Sequence, residues 1–232
     1  MDIKQRLRQR FPTLVDSVQR LRGKDLFTRV YAENRWSDAE SRSGSGSTLE
    51  NTATIRALLP GLLHDLGARS LLDIPCGDFN WMKAAHLDLD LYTGADVVRR
   101  LVQDNSQRFG NATTKFVELN IMKHTLPQVD VVFCRDCLVH FSDADVLRSI
   151  ANIRRSRSRY LLTTTFPDHH ENAPITTGGW RPLNLQIAPF HFPPPLQLLN
   201  EQYTGDGGQY ADKSLGLWRV EEIADCGFRI AD

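Results

Sequence analysis

Residues 70–81 read "SLLDIPCGDFNW", a short apolar run that meets an acid and breaks into a Pro-Cys-Gly turn. The run is strand-length, and the Pro and Gly that follow mark its end. Its neighbours decide the fold. "LYTGAD" (91–96), "TKFVEL" (114–119), "VDVVFC" (129–134) and "RYLLTTTF" (159–166) are further strands. Between them lie the short helix "NWMKAAHL" (80–87), the amphipathic "VVRRLVQDNSQRFG" (97–110), which ends at a glycine, and "SDADVLRSIANIRRS" (142–156), opened by Ser142 or Asp143 as cap. The interior strands are nearly continuous apolar runs, as expected where helices cover both faces of a parallel sheet. The alternation predicts a doubly wound α/β sheet.

Upstream, "PTLVDSVQRLRG" (12–23) and "DLFTRVYAEN" (25–34) have helical spacing, and "RWSDAESRSGSGS" (35–47) is a Ser/Gly-rich loop. Ser47 to Glu50 spells a capping box before a helical pattern running from Leu49 to Leu63. Downstream, prolines recur from Pro167 to Pro195. "PLQLLNEQYT" (195–204) and "SLGLWRVEEI" (214–223) then predict an antiparallel pair across a Gly-rich turn. The expected division is a helical arm and cover loop, residues 1–48, ahead of a cofactor-binding domain, residues 49–232.

The chain has 232 residues, 41% of them hydrophobic and 24% charged, with 28 basic and 28 acidic side chains. This balance gives no field that favours nucleic acid or an acidic membrane. The arm is locally basic (Lys4, Arg6, Arg8, Arg10, Arg20, Arg22, Lys24) and reads as a solvated helical face. No apolar run reaches bilayer length and the start lacks a signal-peptide core, so a cytoplasmic location is expected. Of Cys76, Cys134, Cys137 and Cys226, the middle two form a CxxC with no second pair to complete a zinc site, and the thiols read as reduced and structural.

In an open α/β sheet the ligand sits beyond the carboxyl ends of the strands, where strand order reverses. The 70–81 turn lies there. Asp96, nineteen residues past Gly77, ends the second strand and suits the two hydroxyls of a ribose. A dinucleotide loop needs G-x-G-x-x-G, whereas these positions hold Pro75, Gly77 and Asn80, and Asp78 would set a carboxylate beside the phosphates. That argues against NAD and is compatible with a ligand carrying an ammonium or sulfonium.

"SLLDIPCGDFNW", "YTGADVV", "FVELNI" and "VDVVFCRDCLVHFS" follow one another in the order and at the spacing of the class I S-adenosylmethionine-dependent methyltransferases, which the chain resembles from about Leu49 onward. "ESRSGSGSTLENT", "RDCLVHFS" and "GWRPLNL" also resemble a bacterial subgroup associated with carbohydrate or natural-product modification. The resemblance implies a Rossmann-like, seven-stranded, mostly parallel sheet with helices on both faces and an antiparallel carboxyl-terminal hairpin. It implies S-adenosylmethionine as cofactor. Asp73, Pro75, Cys76 and Gly77 would border its methionine part, Asp96 the ribose, and Val97, Asn120 and Ile121 the adenine. Cys134 and Arg135 would lie near the transferred methyl. Asn120 stands where many members carry Asp, and Pro75 and Phe79 replace two family glycines.

A hydroxyl acceptor needs its proton removed by a nearby base. Asp136 and His140 are the candidates, since a helical turn would put them on one face with the acid orienting the imidazole. Local packing of His140 is the alternative. Asp168, His169, His170 and Glu171 overhang the same end, and His169 or His170 could serve as base; a metal site is not expected there. Arg181 is either an anion clamp or a structural tie. Trp36 and Trp180 offer flat surfaces to a sugar or ring. The expected partner is a small polar acceptor, methylated most readily at a sugar-type hydroxyl, with an amine as the alternative and a non-catalytic scaffold as the rival class. No nucleic acid or membrane partner is expected, and homo-oligomerisation is left open.

Overall fold

The computed structural model describes residues 24–224. The first expected helix (12–23), most of the basic arm and Cys226 lie outside them. The secondary structure runs α1 (Lys24–Ala32), α2 (Ala53–Asp65), β1 (Ser70–Asp73), β2 (Leu91–Asp96), α3 (Arg99–Phe109), β3 (Thr114–Glu118), β4 (Val131–Cys134), α4 (Asp143–Arg155), β5 (Tyr160–Thr165), β6 (Gln197–Asn200) and β7 (Ser214–Arg219).

The seven strands order as β3-β2-β1-β4-β5-β7-β6. All pair in parallel except β7, which runs antiparallel to both β5 and β6. The two branches leave β1 in opposite directions, toward β2 and toward β4. Asp73 at its end sits opposite Gly94 and Phe133. The crevice therefore opens where Asp73 stands.

Alternation along the strands splits the core into two layers. Leu72, Val132 and Leu161 face Val146, Ile150 and Ile153 of α4, joined by Phe166, Leu183, Phe190 and Trp218. Leu71, Val131, Phe133 and Leu162 face Ile55, Leu59, Leu62 and Leu63 of α2. Helix α4 starts where its cap predicts, with Ser142 Oγ accepting from the Asp145 amide. Asp143 and Asp145 lie in its first turn and Arg154 and Arg155 in its last, each sign matching the helix dipole.

The capping box expected at Ser47–Glu50 does not form. Helix α2 begins at Ala53 without a side-chain cap. The preceding turn is already closed by Thr48, which takes the Asn51 amide on its hydroxyl and the Thr52 hydroxyl on its carbonyl. The expected helix in 80–87 shortens to one 3-10 turn, Met82–Ala84.

Candidate active site

A cavity opens over the carboxyl ends of β1, β2 and β4, roofed by residues from α1 and the loop that follows it. Its empty space, counted out to the open mouth, is about 1110 Å³.

One half is acidic and apolar. Asp73 and Asp96 are both buried. Burial raises Asp73 to about 7; nearby Asp96 adds to the effect, and a hydrogen bond from the Tyr92 hydroxyl opposes it. Burial raises Asp96 to about 6 against the backbone amides of Val98, Gly77 and Val97. Val97, Leu101, Leu119, Ile121 and Met122 supply the apolar wall. Between the acids runs the 75–79 turn, pinned by Cys76 N–H to the Ala95 carbonyl (2.8 Å) and by Asn105 Nδ2 to the Gly77 carbonyl (2.9 Å). Phe79 holds a left-handed backbone (φ 59°) that bulky residues avoid. Its ring, 5.1–5.3 Å from those of Phe116, Tyr92 and Phe109, offsets that strain by burial.

The roof is fastened to this turn. Asp78 accepts from the Ser41 hydroxyl (3.0 Å) and the Arg42 amide (2.8 Å), while its own amide donates to Ser43 Oγ (3.0 Å). Asn80 Nδ2 reaches Glu40 Oε1 at 2.7 Å. Asp78 therefore serves as a latch for the Ser/Gly-rich loop.

The other half is built on charge pairs. Arg135 forks onto Glu201 (3.1 and 2.7 Å) and also reaches Asp136 Oδ2 (3.1 Å). Lys213 Nζ lies 2.8 Å from the same Asp136 oxygen and 3.3 Å from Glu201. Burial would raise Asp136, but Arg135 and Lys213 outweigh it and hold the carboxyl well below its usual range. Beside it, His140 Nδ1 is 2.7 Å from the Gly179 carbonyl. A carbonyl only accepts, so Nδ1 carries the hydrogen, and in the neutral ring Nε2 is the nitrogen with the lone pair. Burial lowers the His140 pKa; Lys213 adds to that, and the Gly179 bond and Asp136 oppose it. Trp36 lies 6.0 Å from the imidazole, ring centre to ring centre.

No protein-family model matches the sequence, and no curated protein matches it. Among solved structures, it is similar to Burkholderia thailandensis 1,6-didemethyltoxoflavin-N1-methyltransferase, described with its substrate and S-adenosylhomocysteine. That likeness covers 90% of this chain and 89% of that one at 17% identity, with a TM-score of 0.57. The chain has the class I methyltransferase fold. The N-methyltransferase NodS of Bradyrhizobium japonicum WM9 is similar over 60% of this chain and 73% of its own, at 15% identity and a TM-score of 0.49.

Within the methyltransferase fold, the cavity brings together Asp73, Pro75, Cys76, Gly77, Asp96, Val97, Asn120, Ile121, Arg135, Asp136, His140 and Trp36. Asn120 Oδ1 already accepts from the Met122 amide, leaving one lone pair. Cys134 does not belong to the lining. Strand alternation turns it into the core beside Leu72 and Val132, and Cys137 lines the cavity in its place. Cys76, Cys134 and Cys137 are all buried and free.

The expected helical pairing of Asp136 and His140 is not made. Asp136 is left-handed (φ 50°), a 3-10 turn covers only Leu138–His140, and the Gly179 carbonyl orients the ring. His169, His170, Trp180 and Arg181 lie outside the lining. His169 faces Asp212 at 3.2 Å, and His170 is exposed. Trp180 packs on Tyr210, with ring centres 4.8 Å apart. Arg181 is buried as a structural tie, with Asp143 at 2.6 Å and the Ala173 carbonyl at 2.7 Å.

The sequence reading missed Glu201 and Lys213, which no local motif marks. It also missed the latch of Asp78 onto Ser41–Ser43, although an acid beside a Ser-rich loop was visible.

Proposed function

We propose that the protein is an S-adenosylmethionine-dependent methyltransferase acting on a small polar acceptor, at a hydroxyl of a sugar or related metabolite. One observation carries this reading: two buried carboxylates, Asp73 and Asp96, line one half of the cavity while His140, its Nδ1 held by the Gly179 carbonyl, lines the other.

The residues fit the cofactor. Neither acid has an ion-pair partner among the described residues, and both have raised proton affinity. A ligand with a cationic amino-acid end beside Asp73 and a ribose beside Asp96 would relieve that cost. The apolar wall suits the adenine, and the acids of the turn repel a pyrophosphate. When bound, S-adenosylmethionine supplies an electrophilic methyl on a sulfonium.

The protein's part is alignment, exclusion of water and proton removal. His140 Nε2 takes the hydroxyl proton, and Nδ1–H on the Gly179 carbonyl keeps the ring in the required tautomer. Asp136, too weak a base to share that task, offers Oδ1, which among the described residues meets the Thr164 hydroxyl at 3.5 Å. An acceptor with two neighbouring donors would meet both groups, as adjacent hydroxyls of a sugar do. An amine acceptor is the second reading, favoured by the negative charge kept on Asp136.

Of the described residues, 24–48 act as the cover and 49–224 as the cofactor-binding body. No described helix is long and apolar enough to cross a membrane, and a cytoplasmic enzyme of a metabolite fits the balanced charge. Calorimetry with S-adenosylmethionine tests the cofactor: binding to the wild type should weaken about 10- to 100-fold in Asp96→Ala, the range of a lost charged hydrogen bond. Equal affinity of the two would sink the assignment. Release of S-adenosylhomocysteine on a panel of sugars and amines would then separate the acceptors.

A further inference from the structure

The four charges at the acceptor end come from three distant stretches, Arg135–Asp136, Glu201 and Lys213, and their formal charges cancel. Arg135 and Glu201 already form a complete two-point pair. Burying a lysine beside them costs desolvation that an apolar side chain of similar length would avoid. The contribution of Lys213 therefore falls on Asp136, its closer partner at 2.8 Å. The cover loop also comes close to the pair. A β-carbon on Gly46 of the cover loop would stand 3.2 Å from Asp136 Oδ2 and 3.8 Å from Lys213 Nζ.

Asp136 and His140 line the same half of the cavity. An unbalanced carboxylate there would draw a proton onto the imidazole and remove the base. We infer that Lys213 is a positioning residue: it fixes Asp136 and balances its charge, so that the site keeps an anion for binding beside a histidine that stays neutral. Asp136 and Lys213 are the charged groups that act on His140; Arg135, Lys213, His140, Cys137 and Tyr203 act on or are acted on by Asp136, and Glu201 shares Arg135 and Lys213 with it. The inference rests on His140 as the base of the proposed reaction, but its test needs no turnover.

The test is an NMR titration of the histidine Cε1 protons at low ionic strength, with the His140 signal assigned by its loss in His140→Gln. Lys213→Met should raise the His140 midpoint by on the order of half a pH unit or more, as expected for one uncompensated charge nearby. Lys213→Arg should restore it. Asp136→Asn, nearly isosteric, should lower it. An unchanged or lowered midpoint in folded Lys213→Met overturns the inference. Should Lys213→Met fail to fold by circular dichroism, Asp136→Asn decides alone, and a raised or unchanged midpoint there overturns it. Absence of cofactor binding would sink the proposed reaction and leave the titration standing. An unmoved midpoint with cofactor binding intact would sink this inference alone.

Discussion

The Ser43 hydroxyl stands where a side chain on Gly77 would have to go: a β-carbon there would lie 2.2 Å from Ser43 Oγ. Gly77 also has a left-handed backbone (φ 53°). The cover loop and the cofactor turn thus meet with no room for a methyl group. Gly77→Ala should lower stability by about 1–2 kcal/mol from backbone conformation alone. It should also displace the cover loop and weaken S-adenosylmethionine binding at least tenfold. Thermal melts and calorimetry on one preparation check both, and unchanged binding would show that the contact is idle.

His140→Ala should leave cofactor affinity within a few-fold of wild type and lower kcat by about 10²–10⁴, the usual contribution of a positioned base. In the wild type, kcat/KM should fall on the acid side with a midpoint below the ordinary histidine value of ~6.5, because burial favours the neutral ring. A midpoint above that value, or none, would assign the proton transfer elsewhere.

Asp73 makes the apo protein's stability depend on pH in an unusual sense. Its carboxyl titrates near 3.9 when unfolded and at about 7 when folded, so the folded state holds the proton more tightly. Its contribution to stability is therefore largest at low pH and is lost as pH rises from about 4 to 7. The difference in Tm between wild type and Asp73→Asn should fall steadily from pH 5 to pH 7. Saturating S-adenosylmethionine should restore the wild type preferentially at the upper end. A difference that rises with pH would refute the raised carboxyl.

Ser142→Ala removes the acceptor for the Asp145 amide at the start of α4 and should cost about 1 kcal/mol, read as a shift in urea midpoint without change in slope. Because α4 lies beneath the sheet and away from the cavity lining, cofactor affinity should be unaffected.

The sheet was legible because its strands are buried on both faces, so Leu71–Leu72, Val131–Cys134 and Leu161–Leu162 read as unbroken apolar runs. The acid at position 96 was legible because a strand end fixes its place. The acceptor half was less so. Arg135, Glu201 and Lys213 are separated by 66 and 12 positions; the pairing of β7 with β6 sets the last two together, and its pairing with β5, itself on β4, brings them to the end of the sheet where Arg135 lies. The left-handed turn at Asp136 carries no glycine to announce it. Arg181, open in the sequence to either a clamp or a structural tie, is decided by an environment no motif shows: two carbonyls and Asp143 use the guanidinium to fasten a loop.

The approach of Trp36 to His140 bears on the proton affinity of the imidazole. The indole belongs to the segment after α1, whereas the imidazole follows β4, so a neighbour of the ring comes from a distant part of the chain. Withdrawal of that indole would let water reach the imidazole and raise its affinity for a proton. A cover held in place thus favours the neutral ring, the form able to accept a proton.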